Sequence, residues 1–284
     1  MDTRAKHPHT ARAVVLAVVA IAFAVMYLGG FLVFLSDSTG DRSELELGNP
    51  PDNSLLIHVT VSSIDALKQE ADLSFQPEPT GSLTADRGFT AKKDFTYYIT
   101  TPDNAKTVTF KAGEPMIATR VTVPIDGEIS VYPFDSYNVT FDLASDLPMV
   151  IDNESHFQAY HALMTLDKAR SHEGDLVVDY RFSRSNSIVL FALFVYVLQA
   201  LVAAVAVIVT ICVVWGGYEL NFGHLTWGAA LLFVLPGVRS GLPGQPPIGT
   251  IFDFLVFFWS EVILVACTVT LVFTWVKRSK PSGS

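Results

Sequence analysis

Three long stretches of this chain, residues 13–35, 188–215 and 251–276, are almost wholly apolar, and a shorter one covers residues 222–238. A helix needs roughly 20 apolar residues to cross the hydrocarbon core of a bilayer. The pattern therefore predicts an integral membrane protein with four spanning helices, one early and three late. Between the first and second stretches the rhythm changes. Residues 55–61, 95–101, 107–110, 116–123, 129–132, 137–143 and 175–182 alternate apolar and polar positions and are rich in β-branched and aromatic side chains. A period of two predicts strands. Turn residues punctuate them, as in Thr101-Pro-Asp-Asn104 and Pro124-Ile-Asp-Gly127. Many short strands at even spacing predict an antiparallel β-sandwich. Residues 155–168 carry a weak helical pattern, and the polar segment 36–54, with Pro50 and Pro51, reads as a linker.

The expected fold class is thus a membrane α+β protein in which four transmembrane helices, in a one-plus-three arrangement, flank an inserted extracytoplasmic antiparallel β-sandwich. The expected division is a cytoplasmic N-terminus (1–12), a first span (13–35), the linker, the sandwich (55–184), a three-helix membrane unit (185–276) and a cytoplasmic tail (277–284).

Charge orients this scheme. Arg4, Lys6 and Arg12 precede the first span, and Lys277, Arg278 and Lys280 follow the last. Four crossings put both termini on one side, and the positive-inside rule makes that side the cytoplasm of a plasma membrane. Residues 36–184 carry 24 acidic and 12 basic side chains, so the net charge of -9 is concentrated there. So acidic a domain excludes nucleic acid as a partner. The apolar stretch at residues 13–35 is 23 residues long. That exceeds a signal-peptide core of about 7–15 residues and favours an uncleaved anchor. Cys212 and Cys267 both fall in spans, at depths too different for a disulfide, and read as buried thiols.

Chemistry-bearing motifs are scarce. No nucleophile elbow, zinc-protease helix or phosphate-cradling loop occurs, and His156, His161 and His172 lack ligand spacing. The expectation is no enzyme, no metal and no cofactor. The informative residues are of another kind. Tyr132-Pro133-Phe134-Asp135 follows a strand, and its proline fixes a turn. It is similar to an aromatic-Pro-aromatic-Asp turn of pentameric ligand-gated channels, which there faces the membrane unit. Gln199 and Glu261 share a depth near mid-membrane, where polar groups are costly, and are expected to hydrogen-bond between helices. Asp253 is expected to pair with Arg239 across the loop between the third and fourth spans. That loop opens Leu235-Pro236-Gly237-Val238-Arg239 and continues through Pro243, Gly244, Pro246 and Pro247. Pro236 is expected to end or kink the third helix. The near-absence of large side chains makes the loop the expected docking surface for the sandwich or for a partner.

The Leu-Pro-Gly-Val-Arg…Pro-Pro-Ile-Gly-Thr run, the Asp and Phe-Phe-Trp after it, and the upstream Tyr-Pro-Phe-Asp together resemble an actinobacterial, mycobacterial-type family of membrane proteins of unknown function. Its members share the anchor, the outer β-domain and three C-terminal spans. The resemblance implies a plasma-membrane location and an accessory role in a larger complex, with Mce-type lipid transport first among candidates. It carries over no catalytic residue. Three functions stay open at this stage. The first is a non-enzymatic accessory or scaffold subunit whose partners are membrane lipids and other membrane proteins. The second is a channel-like or transport subunit with a ligand-sensing sandwich. The third is an extracytoplasmic lipid-binding module.

Overall fold

The computed structural model describes Ala17, Ile21, Ala24 and residues 26–37, 53–84, 90–153, 159–172 and 174–279. The remaining positions, Arg4, Lys6, Arg12, His156 and Lys280 among them, lie outside the described residues.

The chain forms a β domain followed by a helical unit, with one further apolar helix, α1 (Met26–Asp37), before them. Among the described residues ten strands build the β domain: β1 (Leu55–Asp65), β2 (Glu70–Pro79), β3 (Phe95–Thr100), β4 (Ala105–Phe110), β5 (Thr119–Pro124), β6 (Asp126–Gly127), β7 (Ser136–Ser145), β8 (Met149–Asn153), β9 (Tyr160–Leu166) and β10 (Asp175–Arg184). One sheet runs β5-β2-β1-β8, and the other runs β4-β3-β7-β10-β9 with β6 added beside β7. The alternation in the sequence becomes burial. Leu55, Ile57, Val59 and Val61 of β1 and Tyr137, Val139, Phe141 and Leu143 of β7 point into one shared core. Phe75 of the first sheet meets Phe141 of the second edge-to-face, with ring centroids 5.2 Å apart. A sandwich of antiparallel sheets is therefore what the pattern produced, with one exception: β1 and β8 pair in parallel.

Four local expectations need correction. The described part of residues 155–168 carries no helix. It forms β9, in which Tyr160, Ala162 and Met164 alternate inward. Residues 129–132 are not a strand but a short 3-10 turn, Ile129–Val131, leading into Tyr132. The helix α1 continues through Ser36 and Asp37, so the linker does not begin at residue 36. Strand β2 is absent from the periodic reading because Pro77 and Pro79 disguise it. Beyond Phe75 its β5 side has no ladder partner among the described residues, and prolines are tolerated where a strand forms an edge.

The helical unit contains α2 (Asn186–Val214), α3 (Phe222–Ser240) and α4 (Phe258–Ser279), the last preceded by a wide π turn at Asp253–Phe257. The segments Asn186–Val214 and Asp253–Ser279 are long and apolar enough to cross a membrane. Helix α4 packs against both α2 and α3. Ala206, Leu235, Leu264 and Cys267 bring the three together, small side chains allowing close approach. Pro236 does not end α3, which continues to Ser240.

Candidate functional site

The site is the junction between the β domain and the helical unit. Strand geometry fixes which residues reach it. β10 runs toward the helices, and only Ser185 separates Arg184 from the first residue of α2. Because β10 runs antiparallel to β7, with Ser183 opposite Ser136, the start of β7 and the turn before it lie at the same end. The β1–β2 turn is brought there too, since Ile125 donates its backbone N–H to Gln69.

Tyr132, Pro133, Phe134 and Asp135 form that turn, with a cis bond before the proline. Tyr132 is completely buried, yet not in the core of its own domain. It packs with Ala192, Val195 and Tyr196 of α2, with Leu242, and with Phe257. Phe134 remains largely exposed, but its ring lies 6.0 Å from that of Phe252. The turn thus touches the helical unit.

Asp135 points the other way and is 1% exposed. It accepts a 2.7 Å hydrogen bond from the Tyr137 hydroxyl and bonds of 3.1 and 3.0 Å from Arg184 Nε. Arg184 Nη2 also lies 2.9 Å from Oδ2, close enough for the charges to pair but off the hydrogen-bonding angle. The guanidinium sits 4.5 Å from the Tyr160 ring centroid and 5.2 Å from that of Tyr132, within cation–π range. Burial works against the Arg184 charge, but Asp135 more than compensates and the guanidinium is held firmly protonated. Burial, opposed by the nearby Arg184, pushes the Tyr160 phenol up to about 12. Burial and its bond to Asp135 push Tyr137 up further. These phenols therefore stay neutral.

A second buried ion pair lies on the helical side. Arg239, in the last turn of α3, donates from Nε to Asp253 Oδ1 at 2.8 Å and from Nη2 to Oδ2 at 2.5 Å. It also donates to the carbonyls of Pro246 at 2.7 Å and Pro247 at 2.8 Å. Asp253 further accepts the backbone N–H groups of Gly249 and Thr250 and, at 3.4 Å, the Tyr196 hydroxyl. One arginine thus folds the Pro/Gly loop back on α3, and one aspartate ties that loop to α2. Prolines lack N–H donors but keep strong carbonyl acceptors, which is what Arg239 uses. The loop reaches the β domain at Gly244. Its φ is +76°, and a Cβ added there would strike the Arg184 guanidinium. Pro243, half-buried, precedes this contact.

Of the residues singled out from sequence, Tyr132, Phe134, Asp135, Arg239, Gly244, Pro246, Pro247 and Asp253 converge here. Gln199 and Glu261 do not meet each other. Gln199 is fully buried but its amide donates to the Leu235 carbonyl of α3 at 3.4 Å, and its Oε1 finds no protein partner, nor does Glu261 Oε1. Shared depth was not enough, because Gln199 points at α3. Gly237 has open space where a side chain would go and makes no junction contact.

Sequence reasoning missed Arg184 and Tyr196. Arg184 could have been found by parity, since it continues the inward-facing series Tyr180, Phe182. A charge at an inward position demands a buried partner. It also missed Asp37 at the end of α1. Asp37 accepts bonds from the Ser187 N–H at 2.6 Å, the Ser187 hydroxyl at 2.5 Å and the Asn186 amide at 3.2 Å. The first helix therefore caps the start of α2 from another part of the chain.

Comparison with known proteins divides the chain at this junction. Residues 45–180 match a family described as a domain of unknown function, DUF4436. Residues 184–278 match a second, DUF8686. Asp135 falls in the first match and Arg184 opens the second. No curated protein matches the chain.

Proposed function

We propose that this chain is a channel-like or transport subunit whose β domain senses a ligand or partner and is mechanically coupled to the helices below it. In this reading all four apolar stretches cross the plasma membrane, both termini are cytoplasmic and the β domain is extracytoplasmic. The observation that carries it is the Asp135–Arg184 pair, buried at the foot of the β domain and pressed against the loop between α3 and α4. Buried ion pairs are weak stabilisers, because desolvation consumes most of the Coulomb gain. Their best-attested use is to fix a register or to poise a switch. Here a second such pair, Arg239–Asp253, holds the facing loop, and Tyr132 fills the apolar space between the two domains. A displacement of the turn at residues 132–135 would have to move that loop or break a buried charge pair. The likeness of the Tyr-Pro-Phe-Asp turn to that of pentameric ligand-gated channels points the same way.

A second reading is a non-enzymatic accessory subunit of a larger plasma-membrane complex, with Mce-type lipid transport as the candidate. It is favoured by the wide apolar surface left uncovered on α3 and α4, where Phe233 is 82% and Phe273 64% exposed. Such surface suits lipid or another subunit. One experiment separates the readings. The full chain, tagged at its chromosomal locus and extracted in mild detergent, is analysed by mass spectrometry and then reconstituted for conductance recording. A homo-oligomer that conducts supports the first reading. Stoichiometric recovery of transporter subunits supports the second, and a free monomer with a flat trace would sink both.

A further inference from the structure

We infer that the junction is a wet joint, with a binding site for water held by the Tyr132 hydroxyl together with polar atoms of Arg184, Ser185 and Thr250. The inference rests on the junction itself and holds whether or not the chain transports anything.

All four side chains are buried, those of Tyr132 and Thr250 completely. Yet among the described residues Tyr132 Oη, Ser185 Oγ, Thr250 Oγ1 and Arg184 Nη2 find no hydrogen-bond partner. Two equally buried phenols of the β domain differ in this respect. Tyr137 donates to Asp135 and Tyr180 to Asn153. The four orphan atoms come from three separate parts of the chain: the turn before β7, the connection from β10 to α2, and the end of the Pro/Gly loop.

Local structure accounts for them. Ser185 occupies the cap position of α2, where a serine hydroxyl ordinarily accepts a backbone N–H two or three residues on. It makes no such bond, because Asp37 already takes the Ser187 N–H. Thr250 gives its backbone N–H to Asp253, while its hydroxyl lies beside the Tyr196 phenol outside bonding geometry. Tyr196 in turn packs with Tyr132. The Tyr132 phenol is within electrostatic reach of Arg184, Tyr196 and Arg239, so it lies between the two buried ion pairs.

The chemistry of these atoms selects the occupant. A buried hydroxyl left dry costs more than a made hydrogen bond contributes. Arg184 and Arg239 each face an aspartate, so no charge is left over to hold an ion. The guanidinium only donates, whereas the hydroxyls both donate and accept. The occupant must therefore be small, neutral and able to do both. Water meets these terms, and a buried water typically makes about three bonds to groups of this kind. A bridging water keeps such groups bonded where no direct contact reaches. Small shifts of the turn at residues 132–135 against the loop then strand none of these hydroxyls.

Radiolytic footprinting of the full chain in detergent tests the site. A short X-ray pulse splits water where it sits, and the hydroxyl radical modifies the side chain beside it. Tyr132 should be oxidised several-fold faster than Tyr137 and Tyr180, which are as deeply buried but bonded within the protein. Tyr132→Phe, which keeps the ring and its packing, supplies a second readout by equilibrium unfolding. Loss of a water-bridged hydroxyl should raise the unfolding equilibrium constant by roughly threefold to tenfold, whereas loss of a dry one would lower it. Tyr132 oxidised no faster than Tyr137 and Tyr180, or a Tyr132→Phe variant at least as stable as the wild type, would overturn the site.

Discussion

At the scale of single residues, the junction is organised by two arginines with unlike duties. Arg184 neutralises a buried aspartate and stacks between tyrosines. Arg239 spends its donors on a carboxylate and two proline carbonyls. Removing one member of a buried pair leaves an uncompensated charge, which is far costlier than removing both. Arg184→Met should therefore lower stability by about 3–5 kcal/mol, whereas Arg184→Met combined with Asp135→Leu should recover most of that loss. Thermal unfolding of the two variants in the same detergent checks the ordering. Equal losses would mean that the pair is not desolvated.

At the scale of elements, the decisive piece is the loop between α3 and α4. Its work is done by backbone. Proline carbonyls accept from Arg239, glycine and threonine N–H groups donate to Asp253, and Gly244 admits Arg184 to near-contact. Gly244 combines a positive φ with a lack of space, so alanine there meets both backbone strain and a collision. Gly244→Ala should cost about 1–3 kcal/mol from the backbone alone. Gly237→Ala, three residues before the end of α3 and facing open space, should be neutral or stabilising by up to about 1 kcal/mol through helix propensity. Melting temperatures of the two variants test whether the loop acts through its fit to Arg184. Similar behaviour of both would show that Gly244 is no more constrained than a glycine within α3.

At the scale of the whole molecule, Tyr132 packs the β domain against the helical unit. It belongs to the β domain by sequence and to the helical cluster by packing. The two parts should accordingly melt in a single transition, with loss of aromatic near-ultraviolet dichroism coinciding with loss of the far-ultraviolet signal. Tyr132→Ala should cost about 3–5 kcal/mol, as expected for emptying an aromatic site, and should split the transition in two. A wild-type chain that already melts in two steps would count against coupling.

How much of this could be read from the chain alone differs by kind of information. Periodicity is a local property, so the apolar stretches and the alternating strands β1, β3, β7 and β10 were legible in the sequence. The strands that escaped it are β2, masked by prolines, β6 and β8, which are short, and β9, whose run was read as a weak helix; each exists because a neighbour supplies the ladder. The Asp253–Arg239 pair was legible because a short loop joins its two ends. Arg184 with Asp135 and Asp37 with Ser187 were not, since their partners lie 49 and 150 positions away. The sequence by itself determined the two-part build and the position of the Pro/Gly loop, because these follow from hydrophobicity and backbone chemistry that each residue carries wherever it sits. Only the tertiary structure decided which charges meet at the junction, because a buried charge takes its partner from whatever residue the sheet order and helix packing bring within about 3 Å.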